Sequence, residues 1–138
     1  MFQKIAVPVD LAHISELGFS LKIAGDLASH YGAEVCYISV TPTSPGSIAR
    51  SPEEYKTKLD AFAQEQATQH GGKVSTRVMT SSDPATDLDD KIVEAIELVG
   101  ADLVVMATHL PRRLDAFMPA NGGKVATHTD ASIMLVRP

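Results

Sequence analysis

The stretch "DPATDLDDKIVEAIELVGADLVVMAT", residues 83–108, decides the fold class. Asp83-Pro84 has the form of a helix start, with a cap residue followed by proline in the first turn. Leu88, Ile92, Ala95, Ile96 and Val99 then recur at helical spacing and mark one apolar face. Gly100 is a helix stop. The run that follows, "ADLVVMAT" (101–108), is apolar and rich in branched residues, as a strand buried on both faces requires. It is the most apolar run in the chain and predicts a central strand. A helix leading into such a strand is half of a parallel βα repeat.

The same alternation extends in both directions. "KIAVPVD" (4–10) reads as a buried strand ended by Asp10. Ile14, Leu17, Leu21, Ala24, Ala28 and Tyr31 predict a helix over 14–31, closed by Gly32. "AEVCYISV" (33–40) is a second strand, and "TPTSPGSIAR" (41–50) a loop. Ser51-Pro52-Glu53-Glu54 announces a helix with a capping box, its apolar stripe at Tyr55, Leu59, Phe62 and Ala63 and its end at Gly71-Gly72. "KVSTRVMT" (73–80) alternates imperfectly and predicts a strand near an edge. After residue 108 come a loop, a short helix over 120–128 and a last strand, "ASIMLVR" (131–137). Five strands alternating with four helices predict one doubly wound α/β domain joined by right-handed crossovers.

Composition narrows the function. The chain has 138 residues, 44% hydrophobic and 21% charged, with a net charge of −5. That length suits a single domain. The acidic balance argues against a general nucleic-acid or anionic-membrane surface. No apolar run approaches the ~18 residues of a membrane span, and "MFQKIAVPVD" lacks the apolar core of a signal peptide. A single cysteine, Cys36, excludes an intrachain disulfide and fits a reducing compartment. These features predict a cytoplasmic protein, with Cys36 a buried, inert thiol.

Ligands of doubly wound sheets sit beyond the carboxyl ends of the strands. If the first and fourth strands flank the switch point, that places Val9-Asp10 and Ala107-Thr108-His109 at the site. Asp10 serves either as a ligand contact or as a cap. Arg112 and Arg113 are suited to phosphate, against the plainer reading of a solvated loop. "NGGKV" (121–125) is not a P-loop: Val125 stands where Ser or Thr belongs, and no strand immediately precedes it. No dinucleotide fingerprint and no paired Cys/His metal signature occur. His13, His30, His70 and His128 have no ligand spacing and read as surface or packing residues. The acidic run "TDLDD" (86–90) lies near a helix start, where the dipole favours it.

The chain resembles the universal stress protein family over essentially its whole length. "KIAVPVDLAHIS" is similar to the family's first strand and turn. "GAEVCYISV", "DPA", "GADLVVMATH" and "HTDASIMLVRP" follow in family order and spacing. The resemblance implies a five-stranded parallel sheet of order 3-2-1-4-5 with helices on both faces, and homodimers through the last strand. An edge strand as apolar as 131–137 needs covering, and antiparallel pairing with a twin would put Ile133 and Met134 at the interface.

The resemblance also implies ATP or another adenine nucleotide as ligand, with Mg²⁺ entering only alongside it. The contacts would be Pro8, Val9, Asp10, Val40, Met106, Ala107, Thr108 and His109, with Leu110, Arg112, Arg113, Pro119, Ala120 and Asn121 toward the phosphates. Here the chain departs from the nucleotide-binding pattern. The positions of Gly-x-x-Gly fall on Ala107 and Leu110. The Gly-Ser position falls on Pro119-Ala120, or on Ala120-Asn121. Pro119 has no N–H to offer a phosphate and Ala120 no hydroxyl. A branch of the family reads "SHRP…GSN" here, and "THLP…PAN" follows it without a gap.

Three functions are therefore expected in order: a nucleotide-holding regulatory module of the stress response; a member without nucleotide, acting through its dimer and protein contacts; and, last, a weak ATPase or phosphotransferase. The third has no evident nucleophile or metal cage.

Overall fold

The computed structural model describes residues 1–107 and 122–137. Its first strand, β1 (Lys4–Pro8), leads through a 3₁₀ segment (Leu11–Glu16) into α1 (Gly18–Tyr31). Then follow β2 (Glu34–Pro42), α2 (Pro52–His70), β3 (Val74–Ser81), α3 (Pro84–Val99), β4 (Leu103–Ala107), α4 (Gly122–Thr127) and β5 (Ser132–Val136). All strand pairs are parallel, in the order β3-β2-β1-β4-β5. The chain moves outward through β2 to β3, then returns to β4 on the other side of β1.

That reversal distributes the helices. Right-handed crossovers in one direction cover one face, and crossovers in the other direction cover the opposite face. Alternate side chains of each strand point to opposite faces. Ile5, Val7, Val35, Tyr37, Leu103 and Val105 form one core with Leu17, Leu21 and Ala24 of the α1 side and Tyr55, Leu59 and Phe62 of α2. Ala6, Cys36, Ile38, Val104 and Met106 form the other with Ile92, Ala95 and Ile96 of α3 and Val125 of α4.

Four expectations are corrected. The helix predicted from residue 14 begins at Gly18. Asp10 caps a 3₁₀ turn instead, and His13 breaks the helical geometry with φ −133° and ψ 33°. Ile14 still packs on the core, so its apolar signal was real although its helix was not. The second strand runs on to Pro42, because Thr41 and Pro42 remain in register with Thr80 and Ser81 of β3. The strand expected at the centre, β4, lies between β1 and β5, and β1 is central. Burial on both faces makes an interior strand apolar, whichever interior position it holds. Asp83 stands at the N-cap of α3, but its carboxylate accepts the Thr86 hydroxyl at 2.7 Å and caps no backbone N–H.

The other signals match. Ser51 accepts the Glu54 N–H at 3.1 Å, although Glu54 answers to the Arg50 N–H rather than to that of Ser51. Gly32, Gly71 and Gly100 all stop helices in the left-handed region, where only glycine is unstrained. β3 and β5 are the edges.

Candidate functional site

The carboxyl end of β1 is held by β2 and by the start of α2. The Val9 N–H donates to the Ile38 carbonyl at 2.8 Å, continuing the β1–β2 pairing beyond the strand. The buried Ser39 hydroxyl donates to the Val9 carbonyl at 2.7 Å. The Leu11 N–H donates to the Tyr55 hydroxyl at 3.3 Å, which ties the first turn of α2 to the turn after β1. Burial pushes the Tyr55 phenol up, against opposing hydrogen bonds from Ser39 and Leu11, so it stays neutral.

Asp10 sits in this frame with extended backbone. Its Oδ1 accepts the Ala12 N–H at 2.9 Å, and its Oδ2 lies 3.1 Å from His13 Nδ1. The cap role weighed from the sequence is therefore realised, and Asp10 lines a cavity as well.

That cavity, of about 480 Å³, opens over the carboxyl ends of β1 and β2. The strands contribute Pro8, Val9, Asp10, Ile38, Val40, Thr41 and Pro42 to its wall. Residues 46–49 and Tyr55 close it from the α2 face, and Pro84, Ala85, Leu88 and Ile92 from the α3 face. It straddles the sheet edge because α2 and α3 lie on opposite faces and both begin there. The size falls within the roughly 300–1,000 Å³ of small-molecule sites, and the wall is mostly apolar with a few polar groups at the rim. Such a slot accepts a flat, weakly polar ring. Asp10, Thr41, Ser47 and Tyr55 supply its polar side chains.

Of the residues named from the sequence, Pro8, Val9, Asp10 and Val40 come together in this wall. Met106 is buried in the core beneath α3, and Ala107 is half-buried against the opposite core. Thr108, His109, Leu110, Arg112, Arg113, Pro119, Ala120 and Asn121 lie outside the described residues. The described part of the wall sits over β1 and β2, to one side of the β1–β4 switch point.

Sequence reasoning missed Tyr55, which reads as one more apolar residue of a helical stripe, and His13, which reads as surface. It also missed the start of α3. One signal was available: the first turn of any helix that follows a parallel strand lies at the same sheet edge as the ligand site. Tyr55 and Pro84 both stand in first turns.

Among the described residues no group of three His, Cys, Asp or Glu side chains converges to hold a metal ion. The acidic run 86–90 is partly engaged internally. Asp87 accepts the Ser81 hydroxyl, and Asp90 faces Lys124 of α4 at 3.8 Å. Cys36 is buried, and desolvation pushes its thiol up. No helix among the described residues is long and apolar enough to cross a membrane.

The model of the universal stress protein family matches residues 1–137. No curated protein sequence matches the chain. Among solved structures, the universal stress protein UspA from Lactobacillus plantarum is 19% identical, with 98% of this chain and 97% of that one covered and a TM-score of 0.64. The universal stress protein from Archaeoglobus fulgidus in complex with dAMP is 18% identical, with 96% of each chain covered and a TM-score of 0.62. A universal stress protein family protein from Arabidopsis thaliana with AMP bound is 16% identical, with 98% of this chain and 90% of that one covered and a TM-score of 0.60. At these identities the likeness concerns the fold.

Proposed function

The chain belongs to the universal stress protein family, and from that premise we propose that it is a regulatory stress-response module that holds an adenine nucleotide, ATP or a shorter one, at the carboxyl ends of β1, β2 and β4. The observation that carries this reading is the apolar cavity with the Asp10 carboxylate at its wall. The base lies against Pro8, Val9, Ile38 and Val40, and Asp10 accepts hydroxyls of the sugar. The phosphates are assigned to residues 107–121, where Arg112 and Arg113 take over from the backbone donors of the Gly-rich form, since Pro119 has no N–H and Leu110 carries a side chain where the pattern has Gly. The Archaeoglobus and Arabidopsis relatives, with dAMP and AMP, support an adenine ligand. Mg²⁺ enters with the nucleotide. In this reading the protein works in the cytoplasm as a homodimer paired along β5, and it is a binding module and not an enzyme.

Calorimetry with AMP, ADP and ATP in the presence of Mg²⁺ tests it. The expected result is saturable binding, weakened at least about tenfold by Asp10→Asn, which is about 1.4 kcal/mol. A second reading is favoured by the loss of the Gly-x-x-Gly and Gly-Ser positions: a family member without nucleotide that acts through protein contacts. Absence of binding at millimolar nucleotide would select it.

A further inference from the structure

The carboxylate of an aspartate ending a strand is free to rotate unless both its oxygens are held. Here they are. Oδ1 takes the Ala12 N–H, and Oδ2 takes His13 Nδ1 at 3.1 Å. His13 is tied to Asp10 a second time, through its own N–H to the Asp10 carbonyl at 2.9 Å. The break in helical geometry falls at His13 itself, and it returns the ring to the carboxylate. A plain cap needs only one oxygen. A carboxylate has about four acceptor directions, so holding one on each oxygen leaves a matched pair for a ligand.

We infer that His13 is a positioning residue for the ligand site: by holding Oδ2 it orients the Asp10 carboxylate as a two-oxygen acceptor for a vicinal diol of a nucleoside. The inference rests on the nucleotide reading above and adds a residue to it. His13 does not line the cavity, and it acts through Asp10.

The test is a double-mutant cycle read by calorimetry, with AMP and adenosine as probes. His13→Ala is expected to weaken both probes about fivefold in the wild-type background and neither in the Asp10→Asn background. His13→Asn keeps a donor close to the Nδ1 position and is expected to restore affinity to within about twofold. Circular dichroism melts confirm that each variant is folded. Three results overturn the inference while sparing the nucleotide site. They are equal losses in both backgrounds, no loss in either, and a loss for AMP that spares adenosine, which would mean that the ring meets phosphate directly. Failure of the wild-type protein to bind either probe overturns the nucleotide reading itself, and this role with it.

Discussion

Tyr37 and Tyr55 are both buried on the same face of the sheet, and they differ in the hydrogen bonding of their hydroxyls. The Tyr37 ring packs edge-on against Phe62, with centroids 5.3 Å apart, and its hydroxyl has no partner among the described residues. The Tyr55 hydroxyl accepts the Leu11 N–H at the rim of the cavity. Removing an unpaired buried hydroxyl recovers its desolvation cost, whereas removing a used acceptor strands a backbone donor. Tyr37→Phe is thus expected to be neutral or to stabilise by up to about 1 kcal/mol, and Tyr55→Phe to cost about 1–2 kcal/mol, in urea unfolding. Burial raises both phenols above their unfolded value of about 10. Their contribution is therefore complete below pH about 10 and is lost as pH rises beyond it, because the unfolded chain releases protons that the folded one keeps. Melts between pH 9 and 11, a window on either side of that value of about 10, should show this fall, and Tyr37→Phe should make it shallower.

At the scale of elements, two helix starts with the same sequence logic are built differently. Ser51 and Asp83 both precede proline, and both stand at N-cap positions. Only Ser51 satisfies a backbone N–H with its side chain, while Asp83 turns to Thr86. Ser51→Ala should cost about 1 kcal/mol of unfolding free energy, and Asp83→Ala clearly less. An outcome with the two costs equal would mean that the caps act through charge at the helix end rather than through the hydrogen bond. The difference lies in the strand end just before α3. Ser81, at the end of β3, donates to Asp87 and accepts the Asp83 N–H, so the start of α3 is held by the strand before it.

For the whole molecule, the unequal edges matter most. β3 presents Ser, Thr and Arg side chains between its apolar ones. β5 leaves Met134 39% and Leu135 47% exposed. An exposed apolar edge of that kind invites pairing with another strand. The proposed homodimer uses it. Met134→Lys with Leu135→Lys should convert the dimer to monomer in sedimentation velocity with little change in the helical circular dichroism signal. A wild-type protein that sediments as a monomer would remove the dimer from the proposal.

How far the sequence reached depends on the range of the interaction concerned. Apolar periodicity, glycine stops and Ser51-Pro52 are local, because they express how a residue meets its own helix or strand, and so they marked the α/β class, the helix ends and the edge character of β3 correctly. The 3₁₀ segment was hidden because Ile14 is apolar and packs on the core without being α-helical. The turn is instead held by Asp10 and by the Tyr55 hydroxyl, which meets Leu11 from 44 residues along the chain. The site divides in the same way. Pro8, Val9, Asp10 and Val40 were legible because they end parallel strands. Tyr55, the first turn of α3 and the grip of His13 on Asp10 were not, because a cavity wall is assembled from distant segments whose individual patterns report only burial. Residue order by itself determined which elements form, whereas only packing on both sides of one sheet decided which of their ends meet around an open space.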